Sequence, residues 1–531
     1  MSNPHPHVTG DHLKNYEPVP TQTIDQVQLS RGSRAEEIES GERTKRLIGL
    51  FGGLLAALLT YCILPADMPH AARLTAATAV LMGGWWMTEA LPIPATALLP
   101  LVIFPVLNPE VKINDVGASY GNSIIFLFMG GFLLALAMQR WNLHRRIALL
   151  TLRVMGSRPS AMVAGFMIAT GFLSMWVSNT ATAVMMLPIG VSVLTLIAQI
   201  QHKDTGTSTK DATAELVTSN FGTALMLGIA YSASIGSLGT LIGTPPNTLL
   251  SGYLADTHNI VIGFGQWMLV GVPLAVIMLF ICWFMLTQVV FRPEIKEIPG
   301  GKELINNEYK KLGPMSSGEL QVLIIFIGAA LAWILVPVIW GKQAPITDAG
   351  IAILVGCILF MLPAGKAGKK GVRLIDWDTA MQLPWGVLML FGGGLALSSQ
   401  FTKSGLTEWI GKAVGHLDAL PLVLMIFLVT AGVIFLTELT SNTATAATFL
   451  PVAGGIAMGM GFNPMLLAIP VALSATCAFM LPVATPPNAI AYGSGYVSIS
   501  QMIKGGFWLN VIGIFLITAT TMTLATWVFS L

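Results

Sequence analysis

The chain has 531 residues, of which 54% are hydrophobic and only 10% charged, with a mean hydropathy of +0.72. Soluble domains carry about 25% charged residues, so this is the composition of an integral membrane protein, and a net charge of +2 gives no ground for a nucleic-acid partner. The four cysteines, Cys62, Cys282, Cys357 and Cys477, fall in or beside apolar stretches without CxxC or other metal-ligand spacing, and read as packing residues.

Residues 1–45 are polar and rich in Pro, His, Glu and Arg. They lack the apolar core and cleavage site of a signal peptide and read as a disordered cytoplasmic tail. Stretches near the roughly 20 apolar residues that a spanning helix needs follow at 46–64, 71–90, 92–107, 122–139, 216–252, 264–290, 319–340, 347–363, 383–400, 465–492 and 505–530. Two further apolar blocks, 160–200 and 420–460, each carry the hexapeptide SNTATA, at Ser178–Ala183 and Ser441–Ala446. With the N-terminus inside and each block counted as a hairpin returning to its own side, 11 spans are predicted and the C-terminus lies outside. On that layout 23 of the 28 Lys and Arg are cytoplasmic, leaving Arg73, Lys112, Lys342, Lys403 and Lys412 outside, as the positive-inside rule requires. Blocks that crossed once would put RPEIKEIPGGKELINNEYKK and GKAGKKGVR outside.

The repetition is longer than six letters. A shift of 263 lays SNTATAVMMLP on SNTATAATFLP and FMGG at Phe128 on FGGG at Phe391. GTPPN at 243–247 matches ATPPN at 484–488 with a shift of 241, because the first copy holds the extra polar loop QHKDTGTSTKDATAE. Each half therefore reads as span, amphipathic linker, hairpin with an SNT tip, then a span broken at TPPN. Span 122–139 runs inward and span 383–400 outward, so the halves are inverted, as in many secondary transporters. In the first linker Leu143, Ile147, Leu150 and Val154 share a helical face, with Arg145, Arg146 and Arg153 elsewhere, as an interfacial helix requires. Its counterpart FTKSGLTEWIGKAVGHL is expected on the outer surface.

Within a bilayer, irregular backbone is tolerated only where it is buried or lines a cavity. Two adjacent prolines in LGTLIGTPPNTLL must break the helix, since Pro removes a donor and clashes with the preceding turn. The break exposes carbonyls suited to a small cation and an amide end suited to an anion. Ser, Asn and Thr beside it supply hydroxyl and amide groups for either sign. A lone SNT could simply let helices pack closely; two copies, each with its own TPPN break, favour a site. No Lys or Arg occurs from Pro159 to Gln201, from Asp211 to Phe291 or from Ala413 to Met502, so a bound anion meets no fixed cation there. Glu438 and Glu89 stand out as intramembrane acids and so as functional candidates, although Glu438 could equally serve the backbone of a hairpin tip.

The paired SNT motifs, the paired TPPN breaks and FLTELTSNTATAATFLP closely resemble the divalent anion:sodium symporter family, the di- and tricarboxylate transporters, over residues 46–531. The resemblance implies an all-α polytopic membrane protein, not an enzyme, working in the plasma membrane as a homodimer among lipids. Scaffold spans are expected at 46–121 and 319–382, a first repeat half at 122–292, a cytoplasmic loop at 293–318 and a second half at 383–531. A transport domain is expected to slide against the scaffold as an elevator. Carried over residue by residue, one sodium site would use Ser174, Ser178, Asn179 and the Gly243 carbonyl, and the other Thr437, Thr440, Asn442 and the Ala484 carbonyl. Substrate would meet Ser178, Asn179, Thr180, Thr244 and Pro245 from one half and Ser441, Asn442, Thr443, Thr485 and Pro486 from the other. The expected activity is sodium-coupled import of C4-dicarboxylates such as succinate, malate and fumarate. Alternatives are sodium-independent dicarboxylate exchange, citrate or sulfate as substrate, and, less favoured, proton coupling through Glu438. A hydrolase is disfavoured by the lack of HExxH or GxSxG, and a channel by the symmetric half-helices.

Overall fold

The computed structural model describes residues 40–531 apart from 156–157, 206–218, 296–297, 299–300, 368–369 and 415–419, and among these there is no strand, only an isolated bridge between Pro363 and Arg373. The expected tail lies outside the described residues up to residue 39; its last part is already helical, in α1 (Ser40–Ile63). After α2 (His70–Thr88), the span expected at 92–107 is interrupted. A turn at Ile93–Thr96 precedes α3 (Pro100–Leu107) because Pro92, Pro94 and Pro100 remove donors and restart the chain. α4 (Ser123–Arg140) and α5 (Leu143–Val154) lead into α6 (Pro159–Ser174) and α7 (Asn179–Thr205), which meet at the first hexapeptide. α8 (Asn220–Gly236), α9 (Pro245–His258) and α10 (Phe264–Phe284) follow. α11 (Gly301–Lys311) is a polar helix inside the expected loop, before α12 (Ser317–Trp340) and α13 (Asp348–Met361). The same order then recurs: α14 (Trp385–Lys403), α15 (Leu406–Val414), α16 (Leu422–Thr437), α17 (Asn442–Gly459), α18 (Met465–Thr476), α19 (Pro486–Gly493) and α20 (Ile499–Thr520).

Among the described residues, 6 helices are long and apolar enough to cross a membrane; other apolar segments are shorter helices. α6 and α16 have 16 residues each, about 24 Å at 1.5 Å per residue, less than the hydrocarbon thickness of about 30 Å. α10 and α20 begin alike, with Gln266 accepting from the Gly263 amide and Gln501 from the Ser498 amide. They also end alike, in π-helical turns at Met285–Val290 and Thr521–Ala525.

The FMGG and FGGG motifs are packing devices. A Cβ on Gly130 would lie 2.4 Å from the Ala352 carbonyl oxygen in α13, and one on Gly393 would lie 2.2 Å from that of Ala97. Only a bare Cα lets α4 and α14 press against a neighbouring backbone. α4 is also held at its end: Arg140 pairs with Asp376 at 2.5 Å, and Trp141 donates to the Leu374 carbonyl at 2.8 Å. The Thr379 hydroxyl and then Arg140 hold the Asp376 carboxyl down to about 2.

α5 forms where the linker pattern predicts, but its faces divide differently. Leu143, Arg146, Leu149 and Leu152 are buried, whereas Leu150 and Val154 are exposed. The helix has two apolar sides, one on protein and one outward. Arg146, expected on the polar side, is buried because Glu319 meets it twice, at 2.5 and 3.1 Å, as a fork on a carboxylate.

Candidate functional site

The two helices that run into the TPPN motifs are enclosed by protein: Phe221–Gly236 of α8 and Met465–Thr476 of α18 are buried throughout. That enclosure permits both helices to unwind, because irregular backbone is stable at such depth only away from lipid. α8 tightens into a 3-10 turn at Ser237–Gly239 and then unwinds, and α18 gives way to extended chain and a turn at Pro482–Ala484. Each chain restarts from one backbone conformation, Thr244 at φ −144, ψ 144 and Thr485 at φ −143, ψ 148, with two prolines in the first helical turn. Pro245 is half-buried and Pro486 exposed, while Pro246 and Pro487 are buried.

The sequence pattern predicts an anion at the amide ends of the broken helices. Pro245, Pro246, Pro486 and Pro487 carry no N–H, so α9 and α19 open with few donors. The helix starts that keep their N–H groups are instead those of α7 and α17, at the SNT residues. Ser178, Asn179 and Thr180 are half-buried, as are Ser441, Asn442 and Thr443, next to buried residues on the preceding helices. Asn179 Oδ1 accepts from the Thr180 amide at 2.8 Å, and Ser178 Oγ from the Ala181 amide at 3.3 Å. Ser441 makes no such side-chain cap on α17.

Of the residues expected to hold sodium, Thr437 and Asn442 are in contact: Thr437 Oγ1 lies 2.9 Å from both Asn442 Oδ1 and the Ala475 carbonyl, with one hydroxyl hydrogen to share between them. Its counterpart Ser174 donates to the Ala233 carbonyl at 2.5 Å. Thr440 bonds to the Leu436 carbonyl at 3.0 Å and the Thr445 hydroxyl at 2.7 Å. Gly243 has no room for a side chain, since a Cβ would lie 2.2 Å from the Ser237 carbonyl oxygen, whereas Ala484 accommodates its methyl at the matching position. The difference between GTPPN and ATPPN is therefore a difference in crowding.

The two halves cross over each other. α7, which starts at the first SNT, packs on α19 of the second break, and α17, which starts at the second SNT, packs on α9 of the first. Thr244 Oγ1 lies 3.3 Å from Thr476 Oγ1, both buried, joining one break to the helix before the other. Each tip is also tied to its own break. Thr240 Oγ1 donates to the Met175 carbonyl at 2.5 Å in the first half. In the second, Glu438 stands where Met175 does, and its carboxylate accepts from the amides of Phe479, Met480 and Leu481 at 2.7, 2.9 and 3.0 Å and from Asn510 Nδ2 at 2.6 Å. Every neighbour donates, so Glu438 is an anchor for unwound backbone. Glu89, the other acid singled out, is exposed at the end of α2 with φ 51 and lies outside this region.

Several residues here escaped sequence reasoning. Asn510 was visible as a lone amide in the apolar run GGFWLNVIGIF. Thr240 and Thr476 were not, because Thr is common in apolar helices and their partners lie 65 and 232 residues away. A cleft of about 500 Å³ lined by Asn108, Glu110, Gln400 and Lys403 contains none of the motif residues.

Buried helix breaks faced by polar helix starts, in an all-helical membrane protein, define a membrane transporter by class. A family model described as the sodium:sulfate symporter transmembrane region matches residues 45–531, and the chain belongs to that family. It is 42% identical over 479 residues to the sodium-dependent dicarboxylate transporter SdcS of Staphylococcus saprophyticus, covering 89% of this chain and 90% of the relative. With SdcS of Staphylococcus aureus strain MRSA252 the identity is 44% over 481 residues, covering 89% and 90%. Two solved structures share the fold at 14% identity. The YdaH transporter of Alcanivorax borkumensis has a TM-score of 0.53 and covers 85% of this chain and 98% of its own. MtrF of Neisseria gonorrhoeae, described within a class of antimetabolite efflux pumps, has a TM-score of 0.51 and covers 90% and 98%.

Proposed function

We propose that this protein is a secondary transporter that imports C4-dicarboxylates with sodium. The observation that carries the reading is the crossing of α7 with α19 and of α17 with α9, which sets each SNT helix against the helix that follows the other half's break and supports a single composite site. Substrate carboxylates are received by Ser178, Asn179, Thr180, Ser441, Asn442 and Thr443, with Thr244, Pro245, Thr485 and Pro486 beside them. One sodium ion is held by Ser174, Ser178, Asn179 and the Gly243 carbonyl, and another by Thr437, Thr440, Asn442 and the Ala484 carbonyl. Dicarboxylate is preferred over sulfate because the relatives at 42% and 44% identity are named for it.

Charge supports the coupling. A C4-dicarboxylate carries two negative charges near neutral pH, and taking a charge out of water costs several kcal/mol per ion even after relaxation. The site-lining stretches hold no Lys or Arg. Two helix starts contribute about half a charge each, leaving roughly one negative charge to be met by sodium.

In this reading the halves are an inverted repeat with 11 spans and two re-entrant hairpins, 160–200 and 420–460, the N-terminus cytoplasmic and the C-terminus outside. α6–α9 and α16–α19 form a transport domain that slides as an elevator. α2, α3, α12 and α13 form the scaffold of a homodimer, joined by α4 and α14 through Gly130 and Gly393. The test is labelled succinate uptake into proteoliposomes. Uptake driven by a sodium gradient, with a Hill coefficient above one for sodium and loss of transport in folded Asn179→Ala and Asn442→Ala, is expected. Succinate exchange of equal speed in sodium and in choline would overturn the coupling, and near wild-type uptake in either variant would remove the motif from the mechanism.

A further inference from the structure

We infer that Asn247 and Asn488, the last residues of the two TPPN motifs, are positioning residues that hold the unwound carbonyls in the arrangement sodium binding requires. Both side chains are fully buried. Asn247 Nδ2 reaches back to the carbonyls of Thr240, Leu238 and Ser237 at 2.9, 3.3 and 3.4 Å. Asn488 Nδ2 reaches the carbonyls of Ala478 and Leu481, both at 3.1 Å. Ala478 and Leu481 lie 241 residues after Ser237 and Thr240, so the same pair of carbonyls is gathered in each half. Neither Oδ1 has a hydrogen-bond partner among the described residues, so the amide nitrogen alone supplies the side-chain bonds of both asparagines.

The chemistry demands such a donor. Where a helix unwinds, its last carbonyls lose their partners, and buried acceptors left unpaired are unfavourable. The prolines that begin α9 and α19 have no N–H to offer. A short side chain with two hydrogens on one nitrogen, placed just after them, can reach back and bind two acceptors. At the first break Trp267 Nε1 adds a bond to the Leu238 carbonyl at 3.0 Å. Gly243 lies against the Ser237 carbonyl that Asn247 gathers, so releasing that carbonyl would move Gly243 as well. The Thr240 and Leu481 carbonyls so held also accept from the Gly243 and Ala484 amides at 3.4 and 3.3 Å, so the asparagines position the residues that carry the ion's carbonyl ligands without themselves being ligands.

The inference rests on the proposed roles of the Gly243 and Ala484 carbonyls. The test measures the sodium concentration for half-maximal succinate uptake in Asn247→Asp, Asn247→Ser, Asn488→Ser and Trp267→Phe, with Ser178→Ala alongside. Asn247→Asp keeps the shape but turns the donor into an acceptor facing carbonyls. A rise of about 10- to 100-fold is expected in the asparagine variants, the range found when partners behind metal ligands are removed, with succinate half-saturation at saturating sodium nearly unchanged. Trp267→Phe, which leaves Asn247 in place, should raise it less. A shift in Ser178→Ala but none in a folded asparagine variant overturns this inference and leaves the site standing. No shift in Ser178→Ala either overturns both. If none of the asparagine variants is monodisperse, an unmoved sodium half-saturation in Trp267→Phe overturns the inference.

Discussion

Glu438 illustrates how one residue's surroundings decide its role. An acid in an apolar run is a functional candidate by default, and proton carriage was one reading of it. Its carboxylate instead gathers three backbone amides and the Asn510 side chain, bonds that a carboxylate makes strongly. Glu438→Gln keeps the size but sets an NH₂ among donors. Leaving such a buried bond unmade costs about 1–3 kcal/mol, so the variant should melt at lower temperature in detergent and transport more slowly at every pH. A variant with wild-type melting that loses only the pH dependence of uptake would return Glu438 to the role of proton carrier.

At the scale of elements, the two breaks share a plan but differ in tolerance. Each is a buried helix, an unwound segment closed by an asparagine, and a Pro-Pro restart. The first is packed against itself at Gly243, where a methyl would meet the Ser237 carbonyl, while the second already holds the methyl of Ala484. Overpacking a tight site costs about 1–3 kcal/mol, here concentrated on a proposed sodium ligand. Gly243→Ala is therefore expected to abolish or severely weaken sodium-driven uptake, and Ala484→Gly to reduce it only a few-fold. Equal effects of the two substitutions on uptake would mean that the crowding at Gly243 has no bearing on transport. The same logic of close approach explains FMGG and FGGG, which sequence comparison matched without a reason and which prove to be where α4 and α14 meet neighbouring backbone.

For the whole molecule, the elevator proposal makes a claim about motion between α2 and the site-bearing α17. These helices touch where a Cβ on Gly83 would lie 3.1 Å from Thr448 Cγ2. A Gly83→Cys/Thr448→Cys pair, in a background without Cys62, Cys282, Cys357 and Cys477, should cross-link. The linked protein is expected to bind succinate but not transport it, and reduction should restore uptake. Full transport by a protein verified as cross-linked would argue against sliding of these parts.

Composition and patterning by themselves determined that this is a helical membrane protein, that two of its helices break near TPPN, and which polar residues are out of place; the unwound chain itself lies just before each motif, which restarts the helix. Those features are local: two adjacent prolines fit only the first turn of a helix, although single prolines such as Pro188 and Pro451 stand inside α7 and α17, and a hydroxyl in an apolar run calls for a partner whatever the fold. The linker helix was legible for the same reason. Which partner each polar group finds was not, because it depends on residues far away in the chain. The carboxylate of Glu438 is met by amides 41 to 43 residues on and by Asn510, and Arg146 is drawn into the interior by Glu319, 173 residues away. Nor could the motifs reveal that α7 lies on α19 and α17 on α9. Only tertiary packing decided those points, since it alone brings distant donors and acceptors within hydrogen-bonding reach.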